Sequence, residues 1–225
     1  MDLSCCMRTM IEEEARHYNM FRDLNRRCLP SAYDRGDRHF TRLSRKDALL
    51  LRAATILPKR LDSFLWLIIA MEEYSVALSR AMMEMEGGGP LGKLEHNFVQ
   101  VHREHVKDEA RHVHLDVHLI HASLSTLTKT GRIIHAWFFR KILMEILPPK
   151  RGSHAVLQHF LKEFPELEPR RSELLGSLRK LRFDGDYLAT LFNRNIMPQT
   201  FALFDELPEL ARLGEILPSY QVPHG

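Results

Sequence analysis

Residues 12–17 read EEEARH, and residues 108–112 read DEARH. In each stretch a glutamate precedes a histidine by three positions, and on an α-helix such side chains lie on one face about one turn apart. A carboxylate and an imidazole in this arrangement can bind one metal ion from one helix, and two facing helices can bind two ions. The repeated motif therefore predicts a dinuclear metal site inside a bundle of helices. The predicted ligands are Glu14 with His17, and Glu109 with His112.

The remainder of the chain has the pattern of a helical protein. Leu, Ala, Met, Glu and Arg are abundant, and apolar residues recur at three- and four-residue spacing, whereas the alternation typical of β-strands is almost absent. The sequence thus predicts an all-α fold, a ferritin-like (ribonucleotide-reductase-like) helical bundle with extra C-terminal helices. We expect one domain over 1–225, with the core bundle at about 1–127, the C-terminal helices at about 131–206 and an irregular tail at 207–225.

The predicted helices end at prolines and glycines. The turn-rich segment 31–40 follows the first helix, and residues 87–90, Gly-Gly-Gly-Pro, separate two long helices. A further helical stretch from about residue 45 is interrupted at Pro58. Helices are predicted at about 3–28, 59–86, 91–126, 131–147, 153–164, 169–181 and 185–206.

The composition excludes several classes of protein. Of the 225 residues, 44% are hydrophobic and 27% are charged, which is typical of a globular protein. The 32 basic and 29 acidic residues are interspersed, so we expect no nucleic acid as partner. The longest apolar run, at 64–71, is far shorter than the ~20 residues that span a bilayer, so we expect no membrane association. Because there are only three cysteines and no signal peptide opens the chain, we expect a cytoplasmic protein.

Helix phase predicts which acid of the first motif is buried. Glu14 and His17 share a stripe with Phe21 and Leu24, whereas Glu13 lies off that stripe. Burying a carboxylate on an apolar face costs free energy unless a positive charge lies beside it, and a bound metal ion would supply that charge. The alternative is that these residues form ordinary ion pairs on a solvated face.

Two adjacent glutamates, Glu72 and Glu73, are candidates for a carboxylate from a third helix. At about 100° per residue, Glu73 falls on a polar stripe with Arg80 and Glu84, whereas Glu72 falls on the core stripe with Ile68. We therefore predict Glu72 as the ligand and retain Glu73 as the alternative ligand.

Charged residues within the motifs are predicted to support the histidines. A metal-bound imidazole usually donates its other N–H to a carboxylate. We expect the two motifs to face each other with pseudo-twofold symmetry, so that the acid beside each motif would accept a hydrogen bond from the histidine of the other. The acids are Asp108 for His17 and Glu13 for His112, with Arg16 and Arg111 holding them. Asp116 is a rival partner for the second imidazole, and surface ion pairs are the alternative for the whole set.

A third histidine shares the helix face of the second motif. His105 precedes Glu109 by four positions and extends the motif to HVKDEARH. The words EEEARH, then MEE at 71–73, then HVKDEARH resemble the p-aminobenzoate N-oxygenase (AurF-like) family of diiron oxygenases over about residues 1–120. The alternative for His105 is a core imidazole or a solvated residue, and His102 is expected to have no part in the site.

The resemblance implies a diiron centre that uses O2. Two Fe would be the cofactor, O2 the co-substrate, and an external electron donor a partner. The small-molecule substrate would be an aromatic amine, oxidised to a hydroxylamine, nitroso or nitro product. The ligands that the resemblance carries over are Glu14, His17, Glu72, His105, Glu109 and His112. No GxSxG, GxGxxG or P-loop motif occurs, so we expect no catalytic group beyond these ligands.

The family pattern includes one more glutamate, on a helix upstream of the first motif. Only 13 residues precede Glu14, so we expect this chain to lack that N-terminal helix. The result would be an apolar trough beside Glu14 and Glu72, or a later helix or a partner chain that fills it. The helix at 131–147 is one candidate, with His135 or Glu145 as substitute ligand. The alternative functions are a non-catalytic helical interaction protein, which could pair as a homodimer, and another diiron hydroxylase or oxidase.

Overall fold

The computed structural model describes residues 3–28, 30, 49, 63–89, 92–146, 151–181, 183–217 and 219–220. The predicted loop at 31–40, the predicted helical stretch from residue 45 apart from Leu49, and the predicted helix start at 59–62 lie outside these residues.

Helices dominate the described residues, and none of these residues belongs to a β-strand, so the predicted all-α class is confirmed. The α-helices are α1 (Leu3–Cys28), α2 (Ser63–Glu84), α3 (His96–Thr126), α4 (Lys129–Ile146), α5 (Arg151–Glu163), α6 (Arg171–Leu181), α7 (Gly185–Leu191) and α8 (Pro198–Glu206). Short 3-10 helices cover Met85–Gly87, Pro165–Arg170 and Pro208–Glu215. Over this described part of the chain, no helix combines the length and the apolar character needed to cross a membrane.

The chain forms two compact units. The first takes in Met1–His39 and Ile68–Ser125, and so contains α1, the larger part of α2 and nearly all of α3. The second takes in Phe40–Leu67 and Thr126–Gly225. That both units belong to one domain stays a prediction.

In the first unit, α1 and α2 each run antiparallel to α3. Along α1, Glu13 contacts Arg111 whereas Phe21 packs against His102, so residue numbers rise on one helix as they fall on the other. On α2, Ser79 contacts His102, and Glu72, which precedes it by seven positions, lies near His112 of the second motif. The three helices therefore enclose a common interior that contains both motifs.

The glycine-rich turn before α3 is longer than the sequence predicts. Gly89 and Gly92 exchange backbone hydrogen bonds of 3.2 and 2.9 Å, and Gly92 has a φ of 80°, which side-chain-bearing residues rarely adopt. α3 accordingly begins at His96 rather than directly after the glycine-proline turn. The Glu95 carboxylate accepts a hydrogen bond from the Phe98 backbone N–H at 2.9 Å and so satisfies one of the free donors at the helix start.

The second unit has its own apolar core, and its helices differ from the prediction. The predicted helix at 185–206 is two helices, because Pro198 lacks the N–H that a continuous helix would need. In the gap, the Asn193 side chain accepts hydrogen bonds from the backbone N–H groups of Asn195 and Ile196. The fully buried side chains of this core include Phe139, Leu143, Met197, Phe201, Leu213 and Leu217.

The predicted irregular tail at 207–225 is also wrong for the part that the structure describes. Pro208–Glu215 forms a 3-10 helix, and Leu210 and Leu213 are buried on its inner side. Tyr220 is buried as well and donates its hydroxyl to the Phe204 backbone carbonyl at 3.1 Å. Leucines that recur at three-residue spacing, as in this stretch, suit the three-residue turn of a 3-10 helix.

Candidate metal centre

Four of the predicted ligands converge between α1 and α3. Each offers one nitrogen or oxygen atom, and these four atoms lie within 4.8 Å of one another. The four residues are Glu14, His17, Glu109 and His112. His17 Nδ1 lies 3.0 Å from Glu109 Oε1, and His112 Nδ1 lies 3.1 Å from Glu14 Oε1. The histidine of each motif therefore faces the glutamate of the other.

A third helix, α2, reaches the cluster through Glu72. Its Oε2 lies 3.6 Å from His112 Nδ1, and its side chain is 11% exposed. The predicted phase of α2 is nevertheless wrong by about one residue. Glu73, expected on a polar stripe, is buried, because Ile69 rather than Ile68 packs into the interior. Both acids of the pair are therefore shielded from solvent, and the Glu72 carboxylate approaches the His112 imidazole.

His105 lies beside Glu109 on the inner face of α3. Its Nε2 is 2.9 Å from Glu109 Oε1, and its side chain is only 9% exposed. Its ring packs edge-on against the His17 ring, with centroids 4.7 Å apart. His105 is thus buried rather than solvated, and one carboxylate oxygen of Glu109 has two imidazoles beside it.

The first motif differs from the prediction in which acid is buried. Glu14, expected on the apolar face, has a side chain that is 50% exposed, whereas the Glu13 side chain is 11% exposed. The cause is the position of α3, which packs on the Glu13 side of α1 and covers that carboxylate with Arg111 and His112. Glu14 reaches the cluster from its open edge.

The outer nitrogens of the two motif histidines contact the acids beside the opposite motif. His17 Nε2 lies 3.0 Å from Asp108 Oδ2, and His112 Nε2 lies 3.0 Å from Glu13 Oε2. Because a carboxylate can only accept, each Nε2 is an N–H donor, so Nδ1 is the nitrogen that each ring would offer to a metal ion once it has lost any proton there. Two guanidinium groups hold the acids: Arg16 donates to Asp108, and Arg111 donates to Glu13 at 2.5 Å and to Asp108 at 2.7 Å.

The inward atoms of the cluster suit a metal ion. His17 Nδ1, His112 Nδ1 and Glu72 Oε2 are buried, and within the described part of the chain they have no hydrogen-bond partner. Polar atoms buried without a partner are costly, and a bound cation would satisfy all three. Imidazole and carboxylate donors together suit iron among the common metals. The residues present therefore fit a metal centre.

In the metal-free protein, protons on some of the clustered side chains balance the negative charge that a metal ion would otherwise balance. Burial raises the pKa of Glu72 well above its usual range, although its contact with His112 works against this. Burial also opposes ionisation of Glu109, but the close approach of the His105, His112 and His17 imidazoles outweighs it and holds the pKa of Glu109 far below its usual range. Burial alone would lower the pKa of His112, yet the surrounding carboxylates raise it to about 11.

Asp116 does not pair with His112 as the rival interpretation predicted, because His112 Nε2 contacts Glu13 instead. Asp116 is 1% exposed, and its Oδ2 has no hydrogen-bond partner among the residues that the structure describes. Burial raises the pKa of Asp116 to about 7, although the nearby His112 lowers it somewhat. This acid is a second place, beside the cluster, where a proton is retained.

His102 is a residue of this region that sequence reasoning missed. It was expected to lie outside the site, yet it is 7% exposed and its Nδ1 lies 2.9 Å from Ser79 Oγ. Its position three residues before His105 places it on the same helix face, which was a usable signal. Burial lowers the pKa of His102, and the nearby His105 adds to this effect.

The predicted substitute ligands lie on α4, in the second unit. His135 is buried there, and the side chain of Glu145 lies outside the described residues. Ligand substitution from this helix and the apolar trough beside Glu14 both stay predictions.

Facing helices that each carry Glu-x-x-His, with a further carboxylate from a neighbouring helix, define the class of helical dinuclear carboxylate–histidine proteins. The family model of the p-aminobenzoate N-oxygenase AurF matches residues 3–176, from the start of α1 into α6. The chain belongs to this family of oxygenases, whose fold is helical and ferritin-like, so the predicted fold class and the resemblance are confirmed. Comparison with the curated proteins and with the solved structures gave no match.

Proposed function

We propose that the chain is an O2-dependent diiron oxygenase that oxidises the nitrogen of an aromatic amine to a hydroxylamine, nitroso or nitro group. The observation that carries this proposal is the convergence of four donor atoms within 4.8 Å, from two Glu-x-x-His motifs, in a member of the AurF family. The substrate class comes from the family alone. An external reductant would supply the electrons.

The proposed ligands are Glu14, His17, Glu72, His105, Glu109 and His112. Glu109 has the central place in this set, since its Oε1 lies near His17 and His105 whereas its Oε2 lies 3.5 Å from His112 Nδ1. Its two oxygens therefore point toward different histidines. Glu109 would therefore be the carboxylate that holds the metal ions at the middle of the site.

When bound, the two irons would supply the activation of O2. The chain's own residues would bind and orient the metal ions. Asp108 and Glu13 would retain the Nε2 protons of His17 and His112 and so keep each Nδ1 directed inward. The carboxylates would offset the positive charge, and the burial of His17, Glu109 and His112 would limit the access of bulk water to that side of the site.

Metal content is the first test of the proposal. The purified chain would be reconstituted with Fe(II) without oxygen, freed of excess iron and analysed for iron per chain. We expect two Fe in the unaltered protein and a marked loss in Glu109→Ala, because this variant removes the central carboxylate. Glu104→Gln is a matched control, since Glu104 is an acid of the same helix whose side chain is 41% exposed. Near-zero iron in the unaltered protein would contradict the diiron proposal and favour the non-catalytic interaction protein.

Product analysis is the second test and addresses the substrate. The iron-loaded protein would receive a chemical reductant, 18O2 and p-aminobenzoate or another arylamine. We expect an N-oxygenated product that carries the 18O label. Label found only on ring carbon would point to another diiron hydroxylase, and consumption of O2 without any labelled product would point to an oxidase.

A further inference from the structure

Ser79 lies between two buried histidines, of which only one is a proposed ligand. Its Oγ is 2.9 Å from His102 Nδ1 and 3.3 Å from His105 Nδ1, and Ser79 itself is 1% exposed. Both histidine residues are buried, so bulk water has little access to these contacts. The hydroxyl therefore connects a ring inside the proposed centre to a ring outside it.

The chemistry of a hydroxyl restricts how the protons of the two rings are arranged. A serine hydroxyl has one hydrogen to donate and lone pairs with which to accept. Ser79 can therefore donate to one Nδ1 only, and when it does so it can accept from the other. In that arrangement one of the two Nδ1 atoms carries a proton and the other does not.

Only one of the two arrangements leaves His105 free to bind a metal ion. His105 Nε2 lies 2.9 Å from Glu109 Oε1, on the cluster side of the ring. If His105 accepted from Ser79 at Nδ1, its proton would sit on Nε2 and block that nitrogen. If His105 instead donates Nδ1–H to Ser79, the Nε2 lone pair faces the cluster, and Ser79 donates its own hydrogen to His102.

The surroundings of His102 suit the accepting role. Its ring packs against the aromatic rings of Phe98 and Phe21, with centroids 4.7 and 5.3 Å away. These apolar neighbours fix the ring plane and disfavour a charged imidazolium. A neutral ring can offer the Nδ1 lone pair that the hydroxyl of Ser79 requires.

We propose that Ser79 and His102 are positioning residues of the metal centre, in which the hydrogen-bond chain from His105 through Ser79 to His102 holds His105 in its metal-binding tautomer. The inference rests on the proposed function, because it assumes that His105 is a ligand. Ser79 and His102 touch neither metal nor substrate in this scheme and act through His105 alone.

The test uses the full chain labelled with 15N-histidine, with Zn(II) as the diamagnetic probe. NMR of the zinc-loaded protein should show His105 protonated at Nδ1 and His102 protonated at Nε2. In the metal-free protein, one of the two Nδ1 atoms and not both should carry a proton. Ser79→Ala should remove this pairing, whereas Ser79→Thr keeps a hydroxyl and should preserve it.

Metal affinity gives a second readout of the same chain. Loss of a group that orients a metal-bound histidine typically costs about 10–100-fold in metal affinity, and we expect that loss for Zn(II) in Ser79→Ala but not in Ser79→Thr. In His102→Phe, the Ser79 hydroxyl can no longer donate to His102 Nδ1 and would donate to His105 Nδ1 instead. The His105 proton would then sit on Nε2, so we expect a loss of zinc affinity at least as large as in Ser79→Ala. The double variant Ser79→Ala/His102→Phe should bind no more weakly than Ser79→Ala.

Two results would overturn the inference. One is protonation of both Nδ1 atoms, or of neither, in the unaltered metal-free protein. The other is an unchanged tautomer pair and unchanged zinc affinity in a folded Ser79→Ala variant. Failure of the unaltered protein to bind any metal would instead contradict the proposed function, and the tautomers of the metal-free protein would still decide whether Ser79 couples the two rings.

Discussion

Removing the Asp108 carboxylate should weaken metal binding without unfolding the protein. Asp108 Oδ2 accepts from His17 Nε2 at 3.0 Å and from the Arg16 guanidinium, and its Oδ1 accepts from Arg111 at 2.7 Å. Asp108→Ala therefore frees the His17 ring to rotate or to change tautomer. It also leaves two guanidinium groups without this partner.

The imidazole contact should dominate the effect. Orienting carboxylates of this kind are typically worth about 10–100-fold in metal affinity, or about 1.4–2.7 kcal/mol. The Arg16 and Arg111 side chains are 55% and 58% exposed. Ion pairs that exposed contribute about 1 kcal/mol or less to stability. We thus expect Asp108→Ala to lose about 10–100-fold in affinity for Fe(II) or Co(II) while keeping its helical fold.

Asp108→Asn separates the hydrogen bond from the charge. The asparagine carbonyl can still accept from His17 Nε2, but its NH2 group would face the Arg111 guanidinium, which cannot accept. We expect an affinity between those of the unaltered protein and Asp108→Ala. Calorimetric metal titration measures the affinities, circular dichroism checks the fold, and Glu104→Gln is the control. Asp108→Ala with unaltered affinity for two metal ions would refute the reasoning.

Three further predictions concern the acids of the first unit. Glu72→Gln should lower the iron content more than Glu73→Gln, because the Glu72 carboxylate lies 3.6 Å from His112 Nδ1; equal losses in folded variants would contradict this. Metal uptake at pH 7 should release protons and tighten as pH rises from 6 to 9, since the pKa values of Glu72 and His112 are raised in the metal-free protein. Calorimetry in buffers of different ionisation enthalpy would count those protons, and uptake without release would contradict the assignment. The folded pKa of Asp116, about 7, lies above its ordinary 3.8, so the folded state retains a proton that the unfolded state loses. The free energy of unfolding of the metal-free protein should therefore fall as pH rises through this window, and less so in Asp116→Asn; urea unfolding at pH 5 and 8 with equal losses in both proteins would contradict this.

The paired Glu-x-x-His motifs and the helical periodicity are sufficient by themselves to determine the fold class. A helix repeats every 3.6 residues, so Glu14 and His17 must share a face, as must Glu109 and His112. The family follows from the same words, since the motif order matches and the family model extends over residues 3–176. Breaks within a helical stretch are harder to predict. The apolar periodicity continues across 185–206, yet the helix is interrupted before Pro198.

Only the tertiary structure decided which of two adjacent acids is buried. Neighbouring residues on a helix differ by about 100°, so Glu13 and Glu14 fall on either side of the same stripe, as do Glu72 and Glu73. The choice depends on where α3 packs, and that position is set by contacts between residues far apart in the chain, such as Glu13 with Arg111. The contact of Ser79 with His102 and His105 belongs to the same category, because no local pattern brings α2 and α3 into that register. A sequence determines the phase of each helix to within about one residue, whereas the packing of helices against one another determines what each face meets.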